Sequence, residues 1–251
     1  MSAEISSELR AVLRRLKLSP LVATLPERIA LARQRKLPYE EFLEIVLSDE
    51  IARRDRLAGE VRARAARLDP TMRLEAWDES SAVAFDRELW AELTTLRFVE
   101  EAHNVLVMGP VGVGKTHLAS TLGHIACRRR RSVAFHRTDW LLKHLKAARL
   151  GATYEAEMRK LIRVDLLILD DFCLHALDAT ETQDVYEIVV ERHLRSSTIV
   201  TSNREPQEWL QVMADPLLAQ SAIDRLQSAA YELVVEGESY RRRQKPGRKA
   251  S

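Results

Sequence analysis

The stretch Gly109-Pro110-Val111-Gly112-Val113-Gly114-Lys115-Thr116 places glycines, an amine and a hydroxyl at a spacing suited to one task. Glycines let successive backbone amides turn towards one point, and a helix opening beside Lys115 adds its positive N-terminal end. Such a loop cradles phosphates: Lys115 reaches the β and γ phosphates and the Thr116 hydroxyl ligates Mg²⁺. The pattern alone also fits a glycine turn that merely precedes a lysine, so its flanks decide. It follows the apolar run Val105-Leu106-Val107-Met108 and opens a helical stretch from Thr116 to about Cys127, the context a phosphate loop requires.

Three further segments supply groups that such a loop needs. Asp165-Leu166-Leu167-Ile168-Leu169-Asp170-Asp171 sets two carboxylates just past a buried apolar strand, a Walker B arrangement. Asp170 is expected to hold Mg²⁺, directly or through water, and Asp171 to polarise the attacking water as general base. Paired acids after a strand are in general more often a plain loop; the phosphate loop upstream favours the catalytic reading. Ser197-Thr198-Ile199-Val200-Thr201-Ser202-Asn203 ends an apolar strand in polar groups, with Asn203 able to orient the water or the γ-phosphate, or simply to cap a turn. Arg225, in Ile223-Asp224-Arg225-Leu226, reads on spacing alone as surface charge.

These groups must be positioned by alternating strands and helices. Short apolar runs at 104–108, 132–136, 166–169 and 198–201 are separated by helical stretches, which argues an α/β fold with a mostly parallel sheet flanked by helices. The first third reads as all helical. Leu9, Val12, Leu13 and Leu16 share one face of a helix stopped by Ser19-Pro20; a second helix opens at Pro26; a third runs from Tyr39 to about Leu68. Ile51, Ala58, Val61, Ala65 and Leu68 suggest a seam along it, and Arg53, Arg56, Arg62, Arg64 and Arg67 occupy other faces, solvated or turned to phosphates. The expected organisation is a small helical N-terminal domain over 1–68, a linker over 69–81, a nucleotide-binding domain over 82–240 opening with a helix around 85–98, and a basic tail over 241–251.

Composition excludes little. At 251 residues the chain can bury a sizeable core, and a net charge of +2 leaves the question of partners to local charge. Cys127 and Cys173 stand apart without metal-ligand spacing, as expected of small buried apolar groups in a reducing cytoplasm. No apolar run approaches the roughly 20 residues of a membrane-spanning helix, and the start of the chain lacks the apolar segment of a signal peptide; a cytoplasmic location without membrane contact is expected.

Taken together, these residues resemble the IstB-like ATPases, helper proteins of bacterial insertion-sequence transposition that are similar to the DnaC helicase loaders and DnaA initiators of the AAA+ class. The resemblance spans almost the whole chain. It is carried by Gly114-Lys115-Thr116-His117-Leu118-Ala119, Leu167-Ile168-Leu169-Asp170-Asp171-Phe172, Thr201-Ser202-Asn203, Asp224-Arg225-Leu226 and Gly237-Glu238-Ser239-Tyr240-Arg241. Leu16-Lys17-Leu18, Glu41-Phe42-Leu43 and Ala52-Arg53-Arg54 look like the helical domain of the transposition branch. The resemblance implies a P-loop AAA+ domain that binds ATP and Mg²⁺, with His117 beside the cofactor, Asn203 as sensor 1, Arg225 as an arginine finger reaching a neighbouring subunit, and Arg241 as sensor 2. Val111 and Val113 stand where the family often has Pro and Thr, and neither supplies a side-chain ligand. Asp171 replaces the Glu of other AAA+ proteins, as in these relatives, and suggests slow, regulatory hydrolysis.

The segment 138–163 carries Trp140, Lys143, His144, Lys146, Arg149, Arg159 and Lys160. Initiator-like relatives have an extra helical element here that lines a nucleic-acid channel, and clustered cations independently suit a phosphate-tracking surface; a solvated helical hairpin is the alternative. The reading that results is an ATPase that self-associates into a ring or helical filament on double-stranded DNA and is recognised by a transposase. A DnaC-like helicase loader, a non-hydrolysing scaffold and a small-molecule kinase are the rivals. Trp77 and Phe85 are candidates for the adenine pocket, with core packing the stronger reading of both.

Overall fold

The computed structural model describes residues 5–77 and 83–240. The chain divides into two compact units, residues 1–58 and 59–251, so the division falls before the boundary expected at 68. The first unit holds α1 (Ser7–Arg15), α2 (Leu21–Arg35) and most of α3 (Tyr39–Ala65). The side chain of Ser6 caps α1 by accepting from the Leu9 N–H. Pro26 lies inside α2 rather than at its start, which Pro20 marks instead as N-cap. Ile5, Leu13, Leu21, Leu25 and Val46 form this unit's small core.

The seam expected along α3 is not what folding buries. Ile51 and Val61 are 58% and 67% exposed, whereas Val46 and Glu50 are buried in the first unit. Glu50 is the partner of both Arg53 and Arg54, which hold its carboxyl down at about 2. In the second unit the last turns of α3 bury Ala63 and, just beyond, Ala66 and Leu68, while Ala65 is exposed. Small side chains at 59 and 63 permit close packing that a leucine-type seam would not. Arg62 donates to the Cys127 carbonyl, and Arg56, Arg64 and Arg67 are exposed.

After a single 3-10 turn, Leu74–Ala76, come β1 (Val83–Ala84), α4 (Arg87–Thr94), α5 (Arg97–Glu100), β2 (Asn104–Met108), α6 (Lys115–Arg128) and β3 (Val133–Arg137). Then follow α7 (Thr138–Leu150), α8 (Tyr154–Arg163), β4 (Leu166–Asp170), α9 (Ala179–Arg192), β5 (Ser197–Ser202), α10 (Pro206–Trp209), α11 (Pro216–Gln227), β6 (Ala230–Val234) and β7 (Glu236–Gly237). The helix expected over 85–98 is two, because Leu96 takes a left-handed conformation at φ 62° between them. The expected linker is no loose tether where it is described: the Asp69 and Arg73 carbonyls meet His124 and His117 of α6.

Five strands form a sheet in the order β3-β4-β5-β2-β6, and every neighbouring pair is parallel. Alternation along the strands divides the core. Val105 and Val107 of β2, Leu166 and Ile168 of β4 and Ile199 of β5 face a layer that includes α4 and α6. Leu106, Met108, Leu167, Leu169 and Val200 face α7, α8, α9 and α11. Both faces of these strands are covered, as parallel sheets require. This is the P-loop AAA+ arrangement of a parallel sheet between helical layers. Strand β6 was not expected; its exposed Glu232 interrupts the apolar run Ala230–Val234. Among the described residues no helix is long and apolar enough to cross a membrane.

Candidate nucleotide-binding site

All polar groups singled out near the strands converge at the carboxyl ends of β2, β4 and β5, where open parallel sheets bind ligands. The phosphate loop runs from the end of β2 into α6, and Lys115 is the first residue of that helix. Gly114 lies at φ 100°, a conformation that L side chains rarely adopt, and a Cβ there would come within 2.9 Å of the Trp77 ring. Val113 is buried and Val111 exposed.

Lys115 is buried and its ammonium donates to the carbonyls of Gly109 and Pro110, each at 2.7 Å, and to Asn203 Oδ1 at 2.6 Å. The phosphate loop and the end of β5 are thereby tied through one cation. The Thr116 hydroxyl donates to Asp170 Oδ1 at 2.9 Å, and the Thr201 hydroxyl donates to the same oxygen at 2.6 Å. Burial pushes the Asp170 carboxyl above its usual range, against the two hydroxyls that favour its charged form, and Asp171 beside it adds repulsion. The second Asp170 oxygen accepts no hydrogen bond among the described residues, so a hydroxyl and a carboxylate oxygen stand together. Oxygen donors of this kind, few in number, suit Mg²⁺, which keeps most of its shell as water and phosphate. No cluster of three or more His, Cys, Asp or Glu able to hold a metal exists among the described residues.

Asp171 sits at φ 53°, in the left-handed region that aspartate tolerates better than most residues, and its N–H donates to Thr201 Oγ1. Its carboxylate lies 3.7 Å from Nη2 of Arg137, whose Nε pairs with Asp139. Sequence reasoning gave Arg137 and Thr201 no role. The register that sets Arg137 beside Asp170 across β3 and β4 is a tertiary fact, and Thr201 carries no distinct signal in β5, where Ser197, Thr198 and Ser202 are also hydroxyl residues. Thr138 donates to the Asp170 carbonyl and anchors the start of α7 to the same strand end.

Other expected residues are not brought here. Arg225, in the last turn of α11, is half-buried and donates to Ser221 of its own helix, and among the described residues no hydrogen bond or ion pair ties it to the loop. Arg241 lies outside the described residues. His117 turns to the Arg73 carbonyl and to the edge of Trp77. Trp77 packs on Phe85 and joins the core layer of α6 while lying over Gly114, so core packing holds for both aromatic rings.

The expected nucleic-acid surface is two helices, α7 and α8. Trp140 is 69% exposed and Leu145 wholly buried. Lys146 pairs with Asp178, and Lys160 and His144 with Glu157. Lys143 and Arg159 are exposed and have no such partner among the described residues. Arg149 pairs with the buried Asp184, which Tyr154 also bonds, and its guanidinium stacks on the Tyr154 ring. Withdrawing Arg149 would leave a buried carboxylate without its cation.

The profile of the family described as IstB-like ATP binding protein matches residues 11–248. An insertion-sequence ATP-binding protein of Mycobacterium tuberculosis is 35% identical over 97% of this chain and 97% of its own length. The IS21 ATP-binding protein of Pseudomonas aeruginosa is 34% identical over 95% of this chain and 90% of its own. Among solved structures, DnaI aligns with a TM-score of 0.55 at 22% identity, over 66% of this chain and 89% of that one. AMPPCP-bound DnaA from Aquifex aeolicus aligns with a TM-score of 0.54 at 24% identity, over 66% of this chain and half of that one (50%). The chain belongs to the IstB-like ATP-binding family and has the P-loop AAA+ fold.

Proposed function

We propose that this protein is an ATP-hydrolysing, DNA-binding helper that assembles on duplex DNA and assists a transposase. The observation that carries the reading is the meeting of Lys115, Thr116, Asp170, Asp171 and Asn203 at one end of the sheet, in a chain whose relatives are described as insertion-sequence proteins. ATP binding exchanges the Lys115 bonds to the Gly109 and Pro110 carbonyls for phosphate oxygens. Thr116 and Asp170 would hold Mg²⁺, which when bound would offset charge on the phosphates. Asp171 accepts a proton from the attacking water, and Asn203, already linked to Lys115, orients it. Arg225 acts on the site of a neighbouring subunit, which favours a ring or helical filament, and Arg241 is a candidate second sensor.

Lys143 and Arg159 are the first DNA contacts. Lys146 and Lys160 can join them, because exposed ion pairs hold their members by only about 0–1 kcal/mol. The helical N-terminal unit is the surface offered to the transposase. Phosphate release measured with and without duplex DNA tests the reading; hydrolysis that is absent, or indifferent to DNA, sinks it. Capture of a replicative helicase in place of a transposase would favour the loader reading.

A further inference from the structure

The phosphate loop is gripped from one side by residues 235–240. The Val235 N–H donates to the Met108 carbonyl at 2.8 Å, and the Tyr240 N–H donates to the Gly112 carbonyl at 2.9 Å. Between these points the chain turns through Gly237 at φ 134°, and β7 pairs antiparallel with β1. Contact with the loop is close. A Cβ on Gly109 would lie 2.0 Å from the Val235 carbonyl oxygen, and one on Gly112 would lie 2.1 Å from Ser239 Oγ.

The two hydrogen bonds fix peptide planes. In a trans peptide the carbonyl and the following N–H point to opposite sides. Holding the Met108 and Gly112 carbonyls towards this segment therefore turns the N–H groups of Gly109 and Val113 away from it. Phosphate oxygens need N–H donors, so the ligand side of the loop is the side opposite the segment.

We propose that Val235–Tyr240 is a positioning strap: its backbone presets the loop amides for a nucleoside triphosphate, so bound nucleotide in turn tightens the strap. This rests on the reading of the loop as the ATP site. The two must be coupled equally in both directions, since linkage is reciprocal.

Titration of the full-length protein with a fluorescent ATP analogue tests it, together with hydrogen exchange at 236–240 with and without ATP. Tyr240→Pro removes the donated N–H and is expected to weaken binding by about 5- to 10-fold, the worth of one net hydrogen bond. KM should rise with kcat retained. Tyr240→Ala keeps the N–H and restores binding, which separates the backbone donor from the side chain. ATP should slow exchange of the Tyr240 amide in the wild type. Equal affinity of wild type and Tyr240→Pro overturns the strap, as does exchange indifferent to ATP. If Tyr240→Pro does not fold, the wild-type exchange comparison decides. A wild type that binds no ATP overturns the site reading itself, and the strap with it.

Discussion

The two ends of the parallel sheet both bury polar groups, but in different company. At the amino end, Arg192 is 1% exposed and donates to the carbonyls of Leu161, Ile162, Val164 and Ser197 and to the Thr198 hydroxyl. Burial pushes its guanidinium down to about 10. Beside it Asn104 bonds the Leu226 carbonyl and the Thr198 N–H, and Ser197 bonds the Phe98 carbonyl. Apart from the Thr198 hydroxyl, these partners are backbone groups. At the carboxyl end, Lys115 bonds the Gly109 and Pro110 carbonyls of the loop and Asn203, and Asp170 accepts from two hydroxyls; in the proposed reading phosphate oxygens replace the loop carbonyls and Asp170 meets a cation. A buried polar group rivets the fold when its partners are fixed and becomes a site when they can be exchanged.

Lys115→Ala is the largest test of that contrast. It should abolish ATP binding and ATP-dependent DNA binding, measured by titration and gel shift, while the thermal transition stays cooperative. Persistent ATP-stimulated DNA binding would break the contrast. Arg225 belongs to neither cluster, and Arg225→Ala should leave ATP affinity intact while lowering phosphate release by about 10³-fold or more and stopping assembly. Normal turnover would place the finger elsewhere.

The reverse result is expected at the amino end. Arg192→Met should cost about 3–5 kcal/mol in urea unfolding, since several carbonyls lose their donor at once, with the ATP affinity of the folded fraction unchanged. A matching loss of affinity would show that the two ends are not separable. The smallest effect concerns the first unit. Glu50, held at about 2 against an ordinary 4.5, contributes stability that is complete above pH 4.5 and lost as pH falls towards 2. Glu50→Gln should flatten that part of the acid unfolding curve and cost about 1–3 kcal/mol at neutral pH.

Legibility followed the range of the interactions. The loop, Asp170-Asp171 and Asn203 were readable because each lies at the end of an apolar strand, a pattern contained in a few consecutive residues. The strand expected at 104–108 matches β2 as it stands. The seam of α3 misled because apolar spacing says which face is greasy, not which face finds a partner; Ile51 and Val61 point outward and Ala63 inward. Nor does the sequence around Arg149 show its buried acid, which lies far along the chain at Asp184.

By itself the sequence determined that a loop from Gly109 to Thr116 can hold phosphates and that two carboxylates follow a strand, because glycine freedom, helix ends and strand alternation are local properties. Tertiary structure alone decided that Lys115 meets Asn203, that Arg137 stands by Asp171, and that residues 235–240 close on the loop from behind. Those contacts join segments whose distance in sequence carries no signal, and only the order of the strands in the sheet makes them neighbours.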